Sequence, residues 1–361
     1  MRILFYINAI NGGGAERVMV NLANRFSKEP GNNVTLVTSF RDKWEYQVFD
    51  SVDRISLESG KIKQSRLRRN ISRIIGLRRI IEQKKPDLVV SFMAEPNYRA
   101  IIATLFLKVK TIISVRNDPN QEYHGKINTM LAKWLLPFAD GCVFQTMEAM
   151  NWFPNRLKKK SKIILNAVKD DFFAFTRTPN RFEVVSCGRL QPQKNHAMLI
   201  EAFTLVNQAY PGAVLKIYGS GQLHSELEKK IHELGMKDSI KLMGSTEDVP
   251  QALRSADLFV LSSDYEGMPN ALMEALAMGI PSVSTDCPCG GPQALIKNGV
   301  NGFLVPVGDV EAMAEKIIEV LSDKDGMDEV GRQAKIQAES FRSEAIYQAW
   351  KSYFVETTGK V

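Results

Sequence analysis

The chain has 361 residues, 44% hydrophobic and 24% charged, with four Cys, four His and a formal net charge of +7. That length suits two ordinary domains, the composition is globular, and no apolar run approaches the roughly 18–20 residues that span a bilayer. Charge is uneven: residues 1–170 hold 29 Lys and Arg against 15 Asp and Glu, and the rest hold 18 against 25, so a basic half suited to an anionic partner is joined to an acidic one.

The start, MRILFYINAIN, reads as a strand at 3–7. Asn8 and Asn11 break its apolar run and no small-residue cleavage site follows, so it is not read as a leader. Ala15, Val18, Met19, Leu22 and Phe26 then recur at helical spacing. Further strands are expected at 34–38, 88–92, 111–115, 141–145 and 162–165. Strands alternating with helices predict a doubly wound parallel α/β sheet. A polar, aromatic stretch at 166–181 breaks the alternation and is expected to be the linker. Strand patterns resume at 182–187, 214–218, 240–243, 258–262 and 282–284, and helical patterns close the chain at 310–321, 329–338 and 343–354. Cys142, Cys187, Cys287 and Cys289 show no metal-ligand spacing and are expected as free thiols of a reducing compartment.

Ligands of open α/β sheets bind beyond the carboxyl ends of the strands, and three motifs fall just there. Gly12-Gly13-Gly14-Ala15-Glu16-Arg17 follows the first strand and opens a helix, where free N–H groups favour an anion. It is neither a dinucleotide fingerprint, because Arg17 stands at the third Gly, nor a Walker loop. A plain tight turn is the alternative. Gly188-Arg189-Leu190 and Lys194-Asn195 place two cations in one loop, where they can converge on a diphosphate or simply be solvated. Glu266-Gly267-Met268-Pro269-Asn270-Ala271-Leu272 leads to Glu274, with Pro269 suited to the first helical position. Carboxylates accept hydroxyl hydrogen bonds well, which suits Glu266 to a sugar and Glu274 to a ribose. The alternative, one surface and one amphipathic Glu, leaves the small apolar character of this helix unexplained.

In this order these motifs resemble those of the retaining glycosyltransferases of family 4, which have the GT-B fold. Leu165-Asn166, Cys287 to Pro292 and residues 298–305 add to the resemblance, which covers nearly the whole chain. It implies two Rossmann-like domains whose parallel sheets face an interdomain cleft. Residues 1–168 and 341–361 would form the acceptor- and membrane-binding domain, and 169–340 the nucleotide-sugar domain, with the last helix crossing back. It also implies a donor, expected as a UDP-sugar, bound by Gly13, Gly14, Gly188, Arg189, Lys194, residues 267–272 and Glu274. Glu266 would orient the transferred sugar, and Arg189 and Lys194 would stand in for a metal, with no cofactor. The acceptor implied is a lipid-linked, polyprenyl-diphosphate glycan of bacterial polysaccharide or glycan assembly, met by a cytoplasmic enzyme on the inner face of the membrane. A sugar-nucleotide epimerase and a catalytically silent nucleotide- or membrane-binding subunit are the rivals.

Two departures stand out. Many relatives carry a His where this chain has Ser114-Val115-Arg116-Asn117-Asp118-Pro119; Arg116 or Asn117 would replace it, and Asp118 is either a base or a helix cap. Ala294 stands where many relatives have Glu. Asp323-Lys324-Asp325 spells a metal motif of a different glycosyltransferase fold but follows no strand, and is read as a turn.

Residues 61–85 form a basic helical stretch. Leu67, Ile71, Ile74, Ile75 and Ile81 are expected to pack on the sheet, leaving Arg66, Arg68, Arg69, Arg73, Arg78 and Arg79 crowded elsewhere. A solvated face is one reading; the other is an anionic membrane surface or lipid diphosphate met through Arg66, Arg68, Arg69 and Arg73. Nucleic acid is disfavoured because no aromatic residue interleaves for stacking. Trp134, Leu135, Leu136, Phe138, Trp152 and Phe153 are expected either as an apolar membrane rim or as core.

Overall fold

The computed structural model describes residues 1–58 and 65–360. It divides into two compact units, Met1–Ala167 with Glu344–Val361, and Val168–Ser343. The first contains a seven-stranded sheet of β1 (Arg2–Ile7), β2 (Asn33–Thr38), β3 (Val52–Ser56), β4 (Leu88–Phe92), β5 (Lys110–Ser114), β6 (Gly141–Phe144) and β7 (Ser161–Ile163). The second contains β8 (Glu183–Cys187), β9 (Val214–Tyr218), β10 (Ile240–Gly244), β11 (Leu258–Leu261), β12 (Ser282–Thr285) and β13 (Phe303–Val305). The orders are β3-β2-β1-β4-β5-β6-β7 and β10-β9-β8-β11-β12-β13, and every pairing is parallel. Strand order therefore reverses between β1 and β4 and between β8 and β11, and such a reversal opens a crevice at the carboxyl ends.

The central strands are apolar and buried throughout, as in LVVSF of β4 and LFVL of β11, because helices cover both faces of a parallel sheet. Leu4, Tyr6 and Val89 pack with Leu77, Ile81 and Ala100 in the first unit. Val184, Ile217 and Val260 pack with Leu199, Phe203 and Ile317 in the second.

Two strands were not expected. β3 is an edge strand in which only Val52 is buried, and Asp53 and Arg54 mask its pattern. β13 has three residues and lies inside a segment expected to be a loop. The 166–181 stretch is not a bare linker: it holds the helix Asp170–Ala174, with Phe172 and Phe173 buried, and Val168 N–H donates to Phe341 O at 2.9 Å. Asp323-Lys324-Asp325 is a helix start rather than a turn; Asp323 Oδ1 accepts from Gly326 N–H at 3.0 Å and caps Lys324–Ala338.

The Arg66–Lys84 helix packs through only part of the face expected: Ile81 and the half-buried Ile74 meet the core, joined by Leu77. Leu77, Ile81 and Arg73 are buried, whereas Leu67, Ile71 and Ile75 are 71%, 48% and 46% exposed. Successive helical residues lie about 100° apart, so Ile75 and Leu77 point about 160° away from each other. Lys61 to Gln64 of the basic stretch lie outside the described residues.

The final helix, Ser343–Thr358, joins the first unit from Glu344 onward. Trp350 and Phe354 are fully buried, against Phe92 (ring centroids 5.7 Å) and Phe26 (4.9 Å) respectively. Tyr353 Oη accepts from Cys142 N–H at 2.9 Å and donates to Lys160 O at 2.5 Å, tying the helix to the β6–β7 edge. Trp350→Ala is expected to cost about 3–5 kcal/mol and Tyr353→Phe about 1–3 kcal/mol, read from urea denaturation; a loss below 1 kcal/mol for Trp350→Ala would show that the helix is dispensable to the unit.

Candidate functional site

At the β8–β11 reversal two loops are zipped together. Ser262 Oγ donates to Lys194 O (2.9 Å), Asn195 Nδ2 to Asp264 Oδ1 (2.7 Å), Asp264 N–H to Gln193 O (2.9 Å) and Gln193 Nε2 to Tyr265 O (2.9 Å). Asn195, in the left-handed region at φ 41°, caps the His196–Ala209 helix. The zipper brings Lys194 Nζ onto Glu266 Oε1 as an ion pair whose side chains are only 14% and 7% exposed. Glu266 also accepts from Ser263 Oγ at 2.7 Å. Its backbone is tied to the loop after β12, with Glu266 N–H on Pro288 O (2.7 Å) and Cys289 N–H on Glu266 O (3.0 Å). The residues expected at the sugar and at the diphosphate thus meet directly.

The other expected residues surround this pair. Arg189 is exposed on the same loop as Lys194, and Gly188 is half-buried. Gly267 and Met268 are buried, and Asn270 and Ala271 half-buried. Pro269 is the N-cap of the helix Asn270–Ala277 rather than its first residue, a one-residue shift of the expected boundary. Leu272 and Glu274 are buried on that helix. Burial, and next the Glu274 charge, push the Cys187 thiol at the end of β8 up to about 12. In the first unit, Gly13 caps the helix Gly14–Ser27. A Cβ on Gly13 would collide with the Glu16 carboxylate, which lies over the helix start, where negative charge is favoured.

The segment in place of the missing His is built into the first sheet. Arg116 is buried over the Phe92 ring (4.8 Å), donates to Asn166, and lies 3.4 Å from Ser114 Oγ. Burial pushes its guanidinium down to about 9, against the pull of Glu122. Burial likewise pushes the Glu122 carboxyl up to about 7. Asp118 Oδ1 accepts from Asn120 N–H at 2.9 Å and caps Pro119–Glu122, so its carboxylate is engaged as a helix cap. Asn117 is half-buried.

Of the arginines expected at a membrane, Arg73 is a correction. It is buried, with Nε on Glu58 Oε1 at 2.6 Å and its guanidinium over Phe40, because it sits on the packed face of its helix. Arg66 pairs with Glu95 at 2.9 Å. Arg68 is exposed and Arg69 half-buried. The apolar cluster divides: Leu135, Leu136 and Phe153 are core, whereas Trp134 and Phe138 are exposed.

Two family models tile the chain in the order of its two units. Glycosyltransferase Family 4 matches residues 12–172 and Glycosyl transferases group 1 matches 168–337. The chain belongs to the family 4 glycosyltransferases. This glycosyltransferase is 29% identical, over 99% of both chains, to the GalNAc-alpha-(1->4)-GalNAc-alpha-(1->3)-diNAcBac-PP-undecaprenol alpha-1,4-N-acetyl-D-galactosaminyltransferase of Campylobacter jejuni. It is 27% identical, over 71% of its length and 72% of the relative's, to the UDP-Gal:alpha-D-GlcNAc-diphosphoundecaprenol alpha-1,3-galactosyltransferase of Escherichia coli. HepE of Anabaena, solved with UDP, shares the fold at a TM-score of 0.83 and 19% identity, over 99% of this chain and 100% of that one. The glycosyltransferase has the GT-B fold.

A further glycine turn, Gly219-Ser220-Gly221, lies directly after β9 and is absent from the motifs expected above. A Cβ on Gly219 would collide with the Gly188 carbonyl, and one on Gly221 with that of Leu190. Leu190 N–H donates to Ser220 O at 2.9 Å. This turn braces the Gly188–Leu190 backbone of the glycosyltransferase, and two glycines straight after a strand were the available signal.

His196, beside Lys194, was also passed over. Burial, and next the Lys194 charge, depress its pKa to about 4. A His depressed on folding favours the native state while neutral, so stability is complete above the unfolded value of about 6.5 and falls as pH drops from there toward 4. The urea midpoint of the wild type is expected to decline over that window, and less steeply in His196→Gln; equal slopes would show that other groups govern it.

Proposed function

We propose that this glycosyltransferase moves a sugar, with retention at the anomeric carbon, from a UDP-sugar to a lipid-linked, polyprenyl-diphosphate glycan acceptor in bacterial polysaccharide or glycan biosynthesis. The observation that carries the proposal is the buried Lys194–Glu266 pair at the strand-order reversal of the second unit. It offers a desolvated cation for a phosphate beside a carboxylate for sugar hydroxyls. The names of the Campylobacter jejuni and Escherichia coli relatives, both acting on undecaprenol-diphosphate-linked glycans, support the acceptor class, and the latter's UDP-Gal supports the nucleotide.

Cleavage of the sugar–phosphate bond builds negative charge on the departing nucleoside diphosphate. Lys194 and Arg189 compensate it, the role a metal would otherwise take. Such preorganised charge acts where it is needed most, in the transition state. The transition state has oxocarbenium character, as in glycoside hydrolysis. Glu266 orients the sugar and is not a covalent nucleophile; the acceptor hydroxyl attacks on the leaving-group side. Glu274 takes the ribose. The first-turn N–H groups of the Asn270–Ala277 helix complete the diphosphate site.

The first unit attaches to the inner leaflet. Among the described residues no helix is long and apolar enough to cross a membrane. Leu67, Ile71 and Ile75 form an exposed apolar row beside exposed Arg68 and Arg79, and Ile127, Met130 and Trp134 are exposed on the helix Lys126–Leu135. A basic residue near an anionic leaflet contributes about 1 kcal/mol. With Arg73 buried, the apolar row takes a larger share of attachment than arginines alone.

Without added metal, a UDP-sugar is expected to raise the melting temperature, and EDTA to leave the shift unchanged; no shift with any UDP-, GDP- or ADP-sugar would defeat the proposed donor site. Glu266→Ala and Lys194→Ala are each expected to lower transfer roughly 10²–10³-fold. Because each leaves a buried charge unpaired, rates belong beside melting curves; full activity in either variant would sink the assignment. Leu67→Ser/Ile71→Ser/Ile75→Ser combined with Arg68→Glu is expected to abolish cosedimentation with anionic liposomes, and undiminished binding would exclude this face.

A further inference from the structure

The strand order of the first sheet reverses between β1 and β4, and the residues following those strands converge there. Met93, straight after β4, takes φ 76° and ψ 158°, a region that only glycine visits freely and that persists in other residues where surrounding bonds enforce it. Those bonds are Met93 N–H on Ser114 O (3.2 Å) and Asn97 N–H on Met93 O (2.9 Å). The strained residue launches the helix Ala94–Thr104 and sets Glu95 in its first turn.

One turn on, Arg99 is buried and commits its guanidinium to this place. Nη1 donates to Asn8 Oδ1 at 2.7 Å, and Nη2 to Asn70 Oδ1 at 2.8 Å and to Glu95 Oε2 at 2.5 Å. Asn8, just past β1, also accepts from Ser39 Oγ, just past β2, at 3.0 Å. Glu95 Oε1 receives Arg66 Nη2 at 2.9 Å. The Glu95 side chain stays 43% exposed while that of Arg99 is 4% exposed.

A buried guanidinium holding a half-exposed carboxylate is a poor stabilising device, because its desolvation offsets the weak gain of an exposed pair. A strained backbone residue is another cost. Both serve to hold one carboxylate in one orientation at the ligand-binding edge of the sheet. A carboxylate offers about four lone-pair sites, and the two arginines occupy one on each oxygen. Burial works against its ionisation, but the Arg66 hydrogen bond and the Arg99 charge outweigh it and keep the pKa below the usual carboxylate value. Glu95 is thus an ionised acceptor of hydrogen bonds with directions left open for hydroxyls.

We propose that Glu95 binds a pair of hydroxyls on the acceptor sugar and that Arg99 is its positioning residue, an assignment that rests on the transfer reaction above. Glu95→Gln is expected to raise the acceptor KM about tenfold, the loss of a charge-assisted hydrogen bond, with the donor KM unchanged. Arg99→Lys keeps the charge but not the fork and moves the acceptor KM the same way. An unchanged acceptor KM in Glu95→Gln, or a donor KM rising in step, overturns the proposal. Calorimetry of UDP-sugars with the wild type tests the donor side separately. Saturation-transfer NMR with a panel of methyl glycosides tests Glu95 whatever the donor result: signals lost in Glu95→Gln at an unchanged melting temperature support the site, and signals absent from the wild type or equal in both proteins overturn it.

Discussion

A parallel sheet whose strand order reverses leaves, at one point along its carboxyl edge, two neighbouring strands whose following loops part to opposite faces. Both sheets of this glycosyltransferase are built so, at β1–β4 and at β8–β11, and the polar chemistry gathers at those points. In the second unit, Lys194 follows β8 and Glu266 follows β11. In the first, Asn8 follows β1 and Glu95 follows β4. In the second unit a cation from one loop grips a carboxylate from the other; in the first, Arg99 and Glu95 share the helix after β4, and Arg99 reaches across to Asn8 after β1.

The two clusters differ in what burial does to them. The Lys194–Glu266 pair is withdrawn from water on both sides. Removing one partner of such a pair strands the other charge at a cost of about 3–5 kcal/mol, so the site is held ready by charges that cannot relax into solvent. At Glu95 only the arginine is buried. The carboxylate keeps an open side, and the arginine fixes its direction. The first arrangement suits a ligand that carries its own anion and hydroxyls; the second suits hydroxyls alone.

Helical periodicity shows how far pattern reading goes. The basic helix was legible from Ser65 onward, but the face it buries was only partly so: Ile74 and Ile81 pack as expected, and Leu67, Ile71 and Ile75 do not. Leu67, Ile71 and Ile75 are as apolar as Leu77 and Ile81, and only the position of the neighbouring helix and sheet determines which row is covered. The same holds for Arg73, whose partner Glu58 lies 15 residues earlier. Trp134 and Leu135 are adjacent in sequence, yet one is exposed and the other buried. Edge strand β3 was missed for a related reason, since an edge needs fewer apolar residues and its pattern is faint; β13 is apolar but only three residues long.

The sequence by itself determined the order of strands and helices, the two-unit α/β plan and the glycine, Arg189, Lys194 and Glu266–Glu274 motifs, because these depend on short-range spacing and on residue chemistry. Only the tertiary structure decided that Lys194 meets Glu266 across 72 residues, that Asp118 is a helix cap, that Gly219 and Gly221 brace the Gly188 loop, and that Arg99 reaches Asn8 across 91 residues to orient Glu95. Such contacts depend on where chain segments distant in sequence are brought together, and a linear pattern of residue types carries no record of those distances.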